Sequence, residues 1–319
     1  MKIPAFPSLQ NSDHPESWQD EAQVRGSCIV AARLVAAAGF LLAAIGVTAW
    51  GLASGGNVHA RPVRLPHSSA SPVPKTIALS SLIPHRWKLA FDPSFAGSQF
   101  DTKVWDTCYP WATNFAVGCS NFGHKEWEWY MPGQDRVSHG LLELVAQMQP
   151  TIGIGPSGKR LHYNCRSGIV TTYHSFQFEY GAVQVVAQMP RVGGMWPALW
   201  LAASDQKYPP EIDIVEHWVR PTHRTGVFLH PVHVNGTRPW NFLHTANLGV
   251  GFHTFSLVWT YHQIEWLIDG KIALIVHHGI PHESMYFIAD LASAKRPSKG
   301  GCGGALAIKS VKIWVPPKR

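Results

Sequence analysis

The sequence predicts an all-β domain built as a two-sheet antiparallel sandwich. Charged residues make up only 15% of the chain, while aromatics reach 11% with 14 Trp. Helical bundles and disordered chains carry more charge than this. The 28 Gly and 24 Pro punctuate a chain of many turns. Short runs of period two recur through the C-terminal half, and no helical period persists beside them. Only "SMYFIADLASA" is ambiguous between helix and strand.

Taken in order, residues 1–33 read as a cytoplasmic N-terminal segment. After Arg25 and Arg33 comes "LVAAAGFLLAAIGVTAWGLA", residues 34–53, without a charge. Twenty apolar residues suffice to span a bilayer, and preceding positive charges keep the N-terminus inside. Val58-His59-Ala60 also suits a signal-peptidase cut, so the run is either a retained anchor or the core of a signal peptide. Both readings export the rest of the chain, to the periplasm or beyond, and an uncleaved run makes the membrane a partner. Residues 54–76 are rich in Pro, Ser and Gly and read as a linker. The folded domain then occupies residues 77–319, without internal repeat.

Cysteine usage agrees with export. Cys28 precedes the apolar run, and Cys108, Cys119, Cys165 and Cys302 lie in the domain. Four cysteines allow three pairings. One closes a short loop between Cys108 and Cys119 and leaves Cys165 with Cys302; the alternative leaves some free. No CxxC pair suggests zinc. The net charge of +7 comes without a Lys/Arg run, which argues against nucleic acid as a partner.

Several strands are legible. In "FEYGAVQVVAQMP", Val183, Val185 and Ala187 fall on one face, Gln184 and Gln188 on the other. In "HQIEWLIDGKIALIVH", two β-rich runs flank Asp269-Gly270, a pair suited to a tight hairpin. "TFSLVW" and "IKSVKIWV" add two more strands.

"PPEIDIVEHW", residues 209–218, sets Glu211, Asp213 and Glu216 among Ile, Val and Trp. In a regular strand Glu211 and Asp213 share a face and Glu216 points away. A β-bulge adds one residue and returns Glu216 to their side. Burying three acids in a core costs far too much, whereas lining a wet cleft is tolerable. Two carboxylates about 5–5.5 Å apart cleave a glycosidic bond with retention. A third acid between them raises the pKa of the proton donor. The bland alternative is an acidic rim on an edge strand.

The "EIDIVE" motif, preceded by "GGMWPALWL", resembles glycoside hydrolase family 16, in its bulged, laminarinase-like branch. The likeness extends to "FDPSFAGSQFDTKVW", "KEWEWYMPGQDRVSHGLLELVAQ", "FHTFSLVWTYHQIEWLIDGK" and "MYFIADLA", in family order. It implies a jelly roll with a concave carbohydrate-binding cleft. It also implies that Glu211 is the nucleophile, Asp213 its assistant and Glu216 the acid/base. By the same resemblance Trp196 and Trp200 stack on sugar faces, Glu126 bonds sugar hydroxyls, and His230 reaches the sugar. In a Trp-rich sandwich many Trp are simply core. His230 and His233 together offer two metal ligands, but with no third in view no metal and no cofactor are expected. Two positions depart from the family: asparagines of the cleft are replaced by His124 and Asp290.

The implied function is endo-hydrolysis of a β-linked polysaccharide, a β-1,3- or mixed β-1,3/1,4-glucan. Transfer to another sugar, action on a bacterial exopolysaccharide, and non-catalytic β-glucan binding are the alternatives. Family members often hold a structural calcium with two acids. Ser94 and Lys309 stand at those positions, so this domain is expected to fold without calcium.

Overall fold

The computed structural model describes residues 76–111, 119, 126–154, 160–219, 224–231, 240–243, 248–294 and 301–317. The apolar run, most of the linker, Cys28, His124 and His233 lie outside them.

The described residues form seventeen strands and two short 3-10 turns. The first nine strands are β1 (Lys88–Phe91), β2 (Glu128–Tyr130), β3 (Asp135–Ser138), β4 (Leu141–Ile154), β5 (Arg160–Ser167), β6 (Ile169–Thr171), β7 (Gln177–Phe178), β8 (Gly181–Gln188) and β9 (Met195–Ala203). The rest are β10 (Glu211–Trp218), β11 (Arg224–His230), β12 (Trp240–Leu243), β13 (His253–Trp259), β14 (Ile264–Ile268), β15 (Lys271–Val276), β16 (Met285–Ser293) and β17 (Gly303–Val315).

They make two sheets. The ten-stranded outer sheet runs β15-β14-β13-β8-β17-β4-β5-β2, with β1 on β17 and β3 on β4. The seven-stranded inner sheet runs β12-β11-β10-β9-β16-β6, with β7 on β16. All strand pairs are antiparallel except β2 with β5.

The alternation read from sequence decides which side is buried. Val183, Val185 and Ala187 of β8 face inward against Phe255 and Leu257 of β13. From the inner sheet come Leu199, Leu201, Ile212, Val227, Leu229, Phe287 and Leu291. Each such side chain contributes about 1.5–3 kcal/mol when fully buried. The ambiguous "SMYFIADLASA" is strand β16, in which all nine residues are buried. It lies between β9 and β6 and is covered on both faces, which removes the polar alternation. The β14–β15 hairpin turns on Asp269 and Gly270, both at positive φ (50° and 70°), as a tight two-residue turn requires.

Both disulfides expected as one option are present, Cys108–Cys119 and Cys165–Cys302. Ser94 and Lys309 are exposed. The Lys309 ammonium lies 5.9 Å from the ring centroid of Phe252. Lys312 pairs with Asp92 at 3.3 Å. Thermal melting is expected to be the same in excess calcium and in excess chelator. A ligand that binds only the native state raises its stability, so a calcium-dependent rise in melting temperature would refute this.

Candidate active site

The site is built on β10. Against β9, Asp213 faces Trp200, Val215 faces Leu199 and Glu216 faces Ala198. Against β11, Asp213 faces Phe228 and Glu216 faces Gly226. From Asp213 to Glu216, three steps along β10 are thus matched by two on each neighbour. This is the expected bulge, and it restores Glu216 to the side of Glu211 and Asp213. Ile212, Ile214 and Val215 are left in the core.

The outer sheet supports the bulge from beneath. The Trp266 indole N–H, buried on β14, donates to the Asp213 carbonyl at 2.8 Å. A bulge disrupts the local ladder, and this bond satisfies a carbonyl at that point. Trp266→Phe is therefore expected to cost about 1–3 kcal/mol, the penalty of an unsatisfied buried acceptor. Turnover is expected to fall further than stability alone explains. Urea unfolding and turnover at full folding, measured side by side, check this. Unchanged turnover would show that Trp266 does not position the acids.

The register maps the rest of the face. Glu211 lies beside Ala202 and then Tyr286, Asp213 beside Trp200 and Ile288, and Glu216 beside Ala198 and Asp290. On the other side Glu211 faces His230. The His230 Nε2 is 3.2 Å from Asp213 Oδ2 and 3.5 Å from Glu211 Oε1. Its Nδ1 is 3.2 Å from the Tyr208 hydroxyl. Ligand atoms of Glu211, Asp213 and His230 lie within 4.8 Å of one another. His233, the second histidine of the sequence-read pair, lies outside the described residues, so the structure does not bring that pair together. Hydrogen bonding of the His230 imidazole to Glu211 and Asp213 accounts for the geometry of the three.

Trp196 and Trp200 differ from each other, and Trp200 also differs from expectation. Trp200 is only 6% exposed. It packs in a cluster with Tyr109 and Ile288, and its N–H donates to Asp290 Oδ2 at 2.7 Å. It offers little ring surface for stacking and instead holds Asp290. Trp196 is partly exposed and stacks on Trp218, with centroids 5.4 Å apart. Trp218 meets Phe228 and Phe242, and Arg224 lies 3.7 Å above the Phe242 ring. This aromatic wall was not singled out from sequence, although Trp218 and Phe228 sit at the parity of the acids.

Glu126 is brought to the same place. The Trp127 N–H donates to the Ser293 carbonyl at 3.0 Å, docking this segment on the end of β16. The Ser293 N–H donates to Glu128. The charge of Glu126 then acts on Asp290, Tyr109 and Tyr130.

So many acids together shift one another. Burial holds Glu216 well above the usual carboxylate range, and the charges of Asp213, Glu211 and Asp290 add to it. Burial, then the charge of Glu126, does the same to Asp290. Burial pushes Glu128 up to about 7 against hydrogen bonds from Glu126 and Ser293. Asp135, elsewhere in the outer sheet, is also raised by burial. Among the described residues no lysine or arginine pairs with Asp213, Glu216 or Asp290.

Raised carboxyls keep their protons in the fold at a pH where the unfolded chain has lost them. Their contribution is complete below the unfolded pKa and is lost as pH rises through the folded value. The melting temperature is expected to be higher near pH 5 than near pH 8, by roughly 5 °C or more if 1 kcal/mol moves it by about 2–4 °C. A melting temperature that rises over this interval overturns the assignment of these four groups as the dominant titration.

The profile of Glycosyl hydrolases family 16 matches residues 126–286, about half of the chain. The chain belongs to that family. It is 33% identical over 228 residues to the endo-1,3-1,4-beta-glycanase EglC of Rhizobium meliloti (strain 1021), covering 66% of this chain and 47% of that protein. With the endo-1,3-1,4-beta-glycanase ExsH of the same organism it shares 29% over 229 residues, 65% of this chain and 48% of the relative. The chain thus spans about half the length of these curated relatives. In fold it is similar to the laminarinase catalytic domain from Thermotoga maritima MSB8, with a TM-score of 0.61 and 22% identity. That similarity covers 73% of this chain and 99% of the other.

Proposed function

We propose that the domain is a retaining endo-glycosidase that hydrolyses a β-linked polysaccharide, with β-1,3-glucan or mixed β-1,3/1,4-glucan as substrate. The observation that carries this reading is the bulge in β10, which sets Glu211, Asp213 and Glu216 on one face. Glu211, at the edge toward His230, is the nucleophile. Its carboxylate attacks the anomeric carbon while Glu216, kept protonated by burial and by its anionic neighbours, gives its proton to the leaving oxygen. Water then attacks the glycosyl ester with Glu216 as base. Its proton returns to Glu216, and Glu211 is released as carboxylate. Asp213 sustains the negative charge between them and holds His230. Asp290, Glu126 and Trp196 are the sugar-contacting groups of this reading, with Trp200 acting through Asp290.

The substrate class is supported by the names of the two Rhizobium relatives, both endo-1,3-1,4-beta-glycanases. Export is supported by the apolar run at residues 34–53 and by two disulfides, which persist in oxidising compartments. We place the domain outside the cytoplasm, free or tethered.

The test is product analysis on a panel of β-glucans and bacterial exopolysaccharides, with the anomer first released followed by NMR. Internal cuts giving the β-anomer support the reading. An α-anomer, or no cleavage of any β-glucan, removes it. Products longer than the starting oligosaccharide identify transfer rather than hydrolysis.

A further inference from the structure

The outer sheet carries a groove that the chemistry of the cleft does not use. It lies on the solvent side of β8, β13, β14 and β17, walled by residues 76–87, and has a volume of about 730 Å³. That is within the range of small-molecule sites, roughly 300–1,000 Å³. Register places its floor. Phe255 and Leu257 of β13 point into the core, so Ser256 points out, with Gln184 of β8 opposite. Thr254 follows on the same face, next to Asp269.

Three features describe what fits there. Trp87 and Trp314 line the groove, each partly buried against the small cluster of Leu79, Ala182 and Val258, with the rest of its surface open. Ser256 lines the groove, and its hydroxyl makes no hydrogen bond among the described residues and is open to a ligand there. Among the described residues no lysine or arginine lines the groove, His85 being its one basic side chain, and Asp269 is occupied by His253 and the Thr254 N–H. A lining without a fixed cation among the described residues disfavours phosphate, nucleic acid or an acidic polymer.

We propose that this groove is a second, non-catalytic carbohydrate site that takes a short stretch of a neutral β-linked polysaccharide. Tryptophan faces receive the apolar faces of pyranose rings, while Gln184, Ser256 and Thr254 meet ring hydroxyls. The site is on the sheet opposite the acids, so it holds polymer without competing for the cleft. The choice of a β-linked polymer rests on the substrate proposed for the cleft, while the site itself takes no part in the reaction.

The test is retardation in native gels containing neutral β-linked polymers, β-1,3-glucan and mixed-linkage glucan first. The full chain is run in a Glu211→Gln background so that polymer survives. Trp314→Ala and Gln184→Ala are each expected to weaken polymer association by roughly tenfold, about 1.4 kcal/mol. In the otherwise native chain both variants should leave turnover of a short oligosaccharide unchanged, which reports on the cleft alone. Gln184 is a partly exposed surface residue, so its variant stays informative if Trp314→Ala does not fold. Retardation unchanged in the Gln184 variant overturns the proposal. No retardation of the Glu211→Gln chain by any neutral β-linked polymer overturns it too, and if the otherwise native chain still cleaves β-glucan the reading of the cleft stands.

Discussion

Glu211→Gln and Glu216→Gln are each expected to lower turnover on polymer by about 10³-fold or more while leaving the fold intact. Glutamine keeps the shape of glutamate but neither attacks a sugar nor carries the proton. Both residues lie on the cleft face and neither packs in the core, so the cost falls on chemistry. The two variants should differ in one respect. A substrate with a good leaving group needs no proton to depart, so it should restore the first step in Glu216→Gln and not in Glu211→Gln. Burst kinetics are then expected, because the glycosyl ester forms quickly and waits for water without a base. The pH profile separates them again. Glu216 must be protonated for the first step, and its pKa is raised by burial and by Asp213, so activity should fall only as pH climbs past that raised value. In Glu216→Gln that alkaline limb should vanish on activated substrates. Near-normal turnover of polymer by either variant would show that the roles are misassigned.

Much of this site was legible because its logic is one of parity. Counting along "EIDIVE" shows that Glu216 reaches the face of Glu211 and Asp213 only through one extra residue, and the register carries that residue. The hairpin at Asp269-Gly270 was readable from two residues that tolerate positive φ. What parity does not carry is contact between distant strands. The parallel pairing of β2 with β5 sets Glu128 beside Cys165, and no local pattern announces it. The bond from Trp266 to the Asp213 carbonyl joins residues 53 apart in different sheets. Trp200 read as a stacking ring by resemblance to the family, and although it shares a face with the acids a neighbouring cluster covers it. Facing a cleft and being open to it are separate properties, and only the first is periodic.

Removing the Cys165–Cys302 bridge is expected to cost more stability than removing the Cys108–Cys119 bridge or changing Trp266 to Phe. Its cysteines are 137 residues apart, against 11 for Cys108–Cys119. If a disulfide acts by restricting the unfolded chain, the loop-entropy relation gives about 5 kcal/mol for the long loop and about 3 kcal/mol for the short one. Measured values for native bridges run at about 2–5 kcal/mol, so the ordering is the firmer expectation. Placement points the same way. Cys165 is fully buried on β5, and β4 separates that strand from β17, whose first residue comes directly after Cys302. The bridge therefore ties three strands, and β5 in turn carries β2 with Glu128. The short bridge sits elsewhere, in the cluster of Tyr109, Trp200 and Ile288 behind Asp290. Its loss should tell on activity as much as on stability, since Trp200 orients Asp290. Double alanine variants, one for each bridge, avoid leaving a free thiol in either case. Urea unfolding gives the stabilities, and turnover under conditions where each variant is fully folded gives the functional cost. Equal or reversed stability losses would mean that native packing around the cysteines, rather than the unfolded chain, sets the contribution of each bridge.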